Sequence, residues 1–426
     1  MDEKINAEAA VGTTRRRLMG AGLTGMAAAA ASPAFAQVSA QPGAPAIIRG
    51  LPDFAIVGAG AFGGWTALSL REAGAKVTLI DAYGAGNPRA SSGDESRLLR
   101  RSYGTREIYT RWAGRAQELW EARQEEMGRR LFYNNGSLRT MGADALAAQR
   151  ATFDRMGVPY EVLKPEEVSK RWPQVNFDEY DAVLYEPSGG VVKAREAMIA
   201  VTETFMQKGG DSRIGHVTLS GNRSAPLLLD GAPMTAGVTV LACGPWLPLV
   251  VPKLLGDRIV TPRREIFYVG SPIDDHRYRW ENLPNISDSH TYTAADVDYG
   301  TKVAARLRGV PMDVDDGQRL PSAFLRQQVE EYVARRMPGL AGQPIVATRI
   351  CQTEVSDNSH FIVDEHPDMP GVWVAGGGSG HAFKMGPRIG EYLSRRLLGV
   401  GDDAEADKLF ALSAHGPIKS EIRSTE

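Results

Sequence analysis

Two cysteines, Cys243 and Cys351, in 426 residues are too few for a disulfide scaffold. One bridge is the most they could form, and each sits in an apolar, strand-like stretch where a small buried hydrophobe serves as well. Charge of one sign is also lacking. The formal net charge is −2, and the basic pairs Arg100-Arg101 and Arg263-Arg264 are short and offset elsewhere, which excludes nucleic acid as the main partner. No internal repeat occurs, no metal site is expected, and the apolar stretch ending near Ala31 is too short for a membrane span. What remains is ordinary globular composition, 43% hydrophobic, enough for a large core shared by two interleaved domains.

Residues 1–36 have the three parts of an export signal: Thr14-Arg15-Arg16-Arg17-Leu18-Met19, a short apolar stretch, and Ala34-Phe35-Ala36 as a cleavage site. Paired arginines before a mild apolar core point to the twin-arginine machinery, hence to a periplasmic or secreted protein that folds around its cofactor before export and keeps no membrane anchor.

The richest stretch is Phe54-Ala55-Ile56-Val57-Gly58-Ala59-Gly60-Ala61-Phe62-Gly63, a glycine fingerprint between an apolar strand and a helix over roughly 61–74. Gly58 permits the tight turn, Gly60 lets the backbone approach a pyrophosphate, and Gly63 lets the helix pack on the strand. The helix start offers unpaired N–H groups to phosphates. Lys76 to Ile80 reads as the second strand and delivers Asp81, an acceptor for the hydroxyls of an unphosphorylated ribose.

Farther along, 105–128, 193–207 and 321–337 read as helices, 136–141, 182–185 and 237–243 as strands, and 263–310 alternates in strand fashion. Gly371 to Ala375 is another buried strand, followed by Gly376-Gly377-Gly378-Ser379-Gly380 and a helix near 387–398. This repeats the N-terminal logic and allows Gly378 and Gly380 to approach the other end of one long cofactor. The expected partition is a linker at 37–50, a dinucleotide-binding domain from 51–133, 188–250 and 346–400, a substrate domain from 134–187 and 251–345, and a tail from 401.

The fingerprint, Ser96-Arg97-Leu98-Leu99-Arg100-Arg101-Ser102-Tyr103-Gly104, Gly244-Pro245-Trp246, Met337-Pro338, Cys351, Phe361-Ile362-Val363-Asp364 and Ser379-Gly380-His381-Ala382-Phe383-Lys384 occur in an order that resembles monomeric sarcosine oxidase and N-methyltryptophan oxidase, FAD-dependent amine oxidases of the D-amino-acid oxidase superfamily. The resemblance implies an α/β fold: a Rossmann-like FAD-binding domain of that superfamily's type interleaved with an α+β substrate domain built on an antiparallel sheet. It implies FAD held by Gly58, Gly60, Gly63, Asp81, Ser96, Gly378, Gly380 and Lys384, with Cys351 as a covalent attachment point; from the residues alone, Cys351 reads first as an inert buried thiol. By the same resemblance Arg100 and Lys384 clamp a substrate carboxylate, and Arg97 and Lys302 sit against the flavin ring, where a fixed cation favours electron transfer to oxygen. His381 packs near the flavin or substrate, or is structural. Blander readings stand beside these. Arg97, Arg100 and Arg101 fall at helical spacing, as surface charges would, Lys302 reads as an outward strand lysine, and Lys384 as a solvated one.

The implied reaction is oxidation of an amino acid or N-substituted amino acid, hydride passing to flavin and then electrons to oxygen, giving hydrogen peroxide. A dehydrogenase with another acceptor and a non-catalytic flavin-binding protein are the alternatives. Where sarcosine oxidases have histidine four residues beyond the lysine, this chain has Arg306, and the aromatic lining is matched only loosely by Tyr292 and Tyr299.

Overall fold

The computed structural model describes residues 53–418 apart from 221–226, 289–290, 306–311, 316–318 and 402. The export segment 1–36, the linker 37–50, Arg306 and residues 419–426 lie outside the described residues.

Phe54–Val57 is apolar throughout and buried on both faces, as a strand covered by helices must be. It pairs in parallel with Val77–Asp81 on one side and Val238–Leu241 on the other. Val372–Gly376 extends the sheet in parallel beyond Val238–Leu241, Asp211–Ile214 extends it beyond Val77–Asp81, and Ile362–Glu365 closes one edge antiparallel. The turns after Phe54–Val57 and Val372–Gly376 therefore leave the same end of one sheet, the carboxyl end where such sheets bind ligands.

A second sheet of eight strands runs in the order Ile345–Gln352, Arg263–Val269, Thr301–Ala305, Thr291–Ala294, Asn285–Ser287, Ser137–Arg139, Val183–Glu186, Glu161–Leu163. All its pairings are antiparallel except that of Asn285–Ser287 with Ser137–Arg139. The strand that carries Cys351 belongs to this sheet, opposite Arg264 in register. The combination of a parallel dinucleotide-type sheet with a largely antiparallel one is the fold class expected from sequence.

Ser96–Leu99 is a strand of a smaller sheet with Gly190–Lys193 and Phe132–Asn134, so the helical spacing of Arg97, Arg100 and Arg101 is overridden by pairing. Arg100 is buried, which removes its reading as a surface charge. No described helix is long and apolar enough to cross a membrane. After residue 400 the chain forms Ala404–Phe410, with Phe410 fully buried and Asp403 accepting the Trp112 indole N–H at 2.9 Å.

Helix Ala61–Glu72 lies against helix Gly386–Leu397. Their contact needs glycine: a Cβ on Gly390 would stand 2.6 Å from the carbonyl carbon and oxygen of Trp65. Those atoms are backbone and cannot swing aside. Gly390→Ala is expected to lower stability by about 1–3 kcal/mol, the usual cost of overpacking, read as a lower denaturant midpoint; an unchanged midpoint refutes this packing.

Candidate active site

The glycine turns open on a cavity of about 1940 Å³, larger than the roughly 300–1,000 Å³ of most small-ligand pockets. Gly58 has φ +107°, and a Cβ there would collide with the Ala242 carbonyl oxygen at the end of the neighbouring strand. Gly60 lines the cavity beside Ser92, whose hydroxyl accepts the Ala61 N–H at 3.1 Å. Gly63 is off the wall; its bare Cα lets the helix leave close to the Gly58 carbonyl. Asp81 accepts the Ala59 N–H at 2.8 Å on one carboxylate oxygen and the Tyr83 N–H at 2.9 Å on the other. Burial pushes this carboxyl up, opposed by backbone N–H groups of Ala59, Tyr83 and Gly84. Each oxygen keeps acceptor capacity for one hydroxyl of a diol. Gly378, Ser379 and Gly380 line the same cavity from the second turn. A glycine turn that tolerates no Cβ, an anchored acid and a second glycine loop on one wall fit FAD.

In the loop before Ser96–Leu99, Asp94 is fully buried and ion-paired to both Lys302 and Arg97. Tyr268 donates its hydroxyl to Asp94 at 2.7 Å. Burial opposes ionisation, but Lys302 and Arg97 hold the Asp94 carboxyl far below the usual carboxylate range. Lys302 also donates to the Ser96 carbonyl at 2.6 Å, and Arg97 to the Ser91 carbonyl at 2.6 Å. Arg97 reaches the wall of the cavity and lies 3.9 Å from the Cys351 sulfur. Burial and then Asp94 push the Cys351 thiol up, while Arg97 and Lys302 pull it down. Both cysteines are free, and burial pushes Cys243 up to about 12.

A second group of cations gathers at Tyr103. The Arg100 guanidinium lies 4.9 Å from the ring centre and donates to the Ser102 carbonyl, which also accepts from Arg139 at 2.9 Å. Lys384, in the short turn Phe383–Met385 before helix Gly386–Leu397, donates to the Tyr103 hydroxyl at 3.0 Å and the His381 carbonyl at 3.4 Å. Trp120 fixes that turn by donating its indole N–H to the Lys384 carbonyl at 2.7 Å. Arg100, Arg139, Tyr103, His381 and Lys384 all line the cavity. His381 stacks on Phe361 with ring centres 5.0 Å apart, and its Nε2 faces the Ser359 carbonyl at 3.0 Å. Its Nδ1 is buried without a hydrogen-bond partner, and burial above all holds the ring neutral, well below the usual histidine value.

Residues 53–396 match the family model described as FAD dependent oxidoreductase, DAO. The chain belongs to that family. Monomeric sarcosine oxidase of a Bacillus species is 26% identical over 394 residues, covering 88% of this chain and 98% of that one. N-methyl-L-tryptophan oxidase of Yersinia pestis is 24% identical over 354 residues, covering 80% and 93%. Among solved structures, a modified fructosyl peptide oxidase from Aspergillus nidulans superposes with TM-score 0.76 at 19% identity, covering 87% and 95%.

In this FAD-dependent oxidoreductase, Gly58, Gly60, Asp81, Arg97, Arg100, Cys351, Gly378, Gly380, His381 and Lys384 meet on one cavity, and besides Gly63 three other expected residues do not. Ser96 lies beneath the wall with its carbonyl given to Lys302 and Arg97; Ser92 holds the wall position instead. Lys302 is 1% exposed and spends its charge on Asp94, so it is neither an outward lysine nor a cavity-facing cation. Tyr299 is 49% exposed and off the wall, whereas Tyr292 lines it. The sequence reading missed Asp94, Tyr103 and Glu354. Glu354 lines the cavity, accepts from Ser91 at 2.8 Å, and is pushed up by burial. The run Gly93-Asp94-Glu95-Ser96-Arg97, an acid three positions before an arginine, was the one available hint of Asp94.

Asp94→Asn leaves the buried Lys302 and the half-buried Arg97 without their counter-charge and is expected to cost about 3–5 kcal/mol in denaturant unfolding. Because the folded carboxyl is depressed, its contribution is present above the unfolded value of about 3.9 and lost as pH falls toward the folded one. The variant's stability should accordingly fall less than the wild type's in that acid range.

Proposed function

We propose that the chain oxidises an amino acid or N-substituted amino acid at the carbon beside the amine nitrogen, giving an imine that hydrolyses, with electrons passing on to oxygen to give hydrogen peroxide. The observation that carries this is the cluster of Arg100 and Lys384 at Tyr103, a carboxylate-sized positive site on the wall of the cavity that fits FAD. The names of the similar proteins, sarcosine oxidase and N-methyl-L-tryptophan oxidase, agree with substrates that pair a carboxylate with a secondary amine.

Bound FAD supplies the two-electron acceptor. The chain's own residues do the rest. Gly58, Gly60, Gly378 and Gly380 give backbone access, and Asp81 takes the ribose. Arg100 and Lys384 orient the substrate by its carboxylate, and His381, packed against the Phe361 and Tyr109 rings, forms the neighbouring wall. Arg97, one of two cations sharing the single acid Asp94, leaves a net positive charge at the wall. Cys351, on the cavity wall beside Arg97, would hold the flavin covalently through its sulfur, with oxygen as the oxidant that such an attachment requires. The export motif at Arg15 to Arg17 supports action outside the cytoplasm after twin-arginine transport.

The purified protein should be yellow and bleach without air when given secondary or primary amino acids, forming peroxide when air returns; no bleaching by any of them sinks the proposal. Arg100→Gln should lower kcat/KM for carboxylate substrates by about 10- to 100-fold, the loss of one charged hydrogen bond, and an unchanged value would move the carboxylate elsewhere. Acid precipitation should leave the colour on the wild-type protein and release it from Cys351→Ser; colour released from both rules out attachment.

A further inference from the structure

We infer that Lys384 is the base that takes the proton from the substrate's ammonium, and that this same proton makes Lys384 the positive partner of the substrate's carboxylate. The inference rests on the amino-acid substrate class proposed above. An amino acid reaches the enzyme as a zwitterion, and hydride can leave the carbon beside nitrogen only once that nitrogen carries a free electron pair. Some group must accept the proton.

Lys384 is built for it. Its side chain is 6% exposed, and no carboxylate pairs with it among the described residues. Two N–H bonds are committed, to the Tyr103 hydroxyl at 3.0 Å and the His381 carbonyl at 3.4 Å. A tetrahedral nitrogen so held has one further direction, and Lys384 lines the cavity. In the neutral form that direction carries a lone pair. The groups around it are mostly positive: Arg100 shares the Tyr103 ring, Arg139 shares the Ser102 carbonyl with Arg100, and Arg97 lies farther off. The one acid among them, Glu186, accepts the Arg101 N–H at 2.6 Å and is itself pushed toward its neutral form by burial. Tyr103 is pushed up by burial and stays neutral, as does His381. Burial first, then Arg100 and Arg139, hold the Lys384 ammonium well below the ordinary lysine value.

The step balances without a co-reactant. One N–H bond breaks at the substrate nitrogen, one forms at Nζ, and the electron pair left on nitrogen is the one the oxidation needs. Zwitterion and neutral lysine become anionic amine and lysinium, so the pocket's net charge does not change. The carboxylate and ammonium of an α-amino acid flank a single carbon, so one lysine nitrogen can meet both.

A carboxylate without an amine must instead draw that proton from solvent, and this provides the test. Acetate is titrated into the holoenzyme by calorimetry in buffers of different ionisation heat, from about pH 6 to about pH 10, the span between ordinary histidine and ordinary lysine. Wild type should take up about one proton per acetate bound within that window. α-Aminoisobutyrate, a zwitterion with no hydrogen on its α carbon, should bind with none. Lys384→Arg and Lys384→Gln should bind acetate without uptake, the latter more weakly, while His381→Gln keeps it. No uptake by wild type, uptake persisting in Lys384→Arg, or uptake lost in His381→Gln overturns the inference while leaving amino-acid oxidation standing. Failure of acetate to bind at all overturns the carboxylate clamp together with it.

Discussion

The geometry of the active-site wall depends on one buried carboxylate. Asp94 sits in the loop before Ser96–Leu99, and its partners Lys302 and Tyr268 come from neighbouring strands of the eight-stranded sheet. Its main chain is tied as well, since the Asp94 carbonyl accepts from Arg195 at the start of helix Ala194–Gln207. An arrangement of this kind contributes less to stability than to placement, because desolvating three charges offsets most of their attraction. What it gains is position: Arg97, held between Asp94 and the Ser91 carbonyl, is kept at the wall beside Cys351.

The cavity is thus positively charged in two places with opposite histories. Near Cys351 two cations share an acid and are locked. Near Tyr103, Arg100 and Lys384 donate instead to neutral oxygens, the Ser102 carbonyl and the Tyr103 hydroxyl. The aromatic packing of Tyr109, Phe361 and His381 lowers the local dielectric response and sharpens that difference. His360 shows the same pressure at the rim of this cluster: burial and then Arg106 bring it down to about 4.

Local signals were enough for the dinucleotide-binding half. Strand, glycine turn, helix, strand and Asp81 follow one another within a short span, and each is specified by its own residues. The second glycine turn was legible for the same reason. Long-range pairing was not. Whether Ser96–Leu99 is strand or helix is decided by Gly190–Lys193, and the role of Asp94 by Lys302 and Tyr268, far along the chain. Lys302 was correctly placed in a strand, yet which way it faced depended on an acid in a distant loop. The resemblance named the chemistry of this corner, but it could not reveal that the lysine's charge is already taken.

The order of the parallel strands has a consequence for how the enzyme comes into being. Val372–Gly376 reaches Phe54–Val57 only through Val238–Leu241, so the second glycine turn takes its place only after the strands that precede it in the chain have been made. A nascent chain that has made only the first glycine turn has half of this cradle. Closure of the cradle is therefore a late event in the order of synthesis.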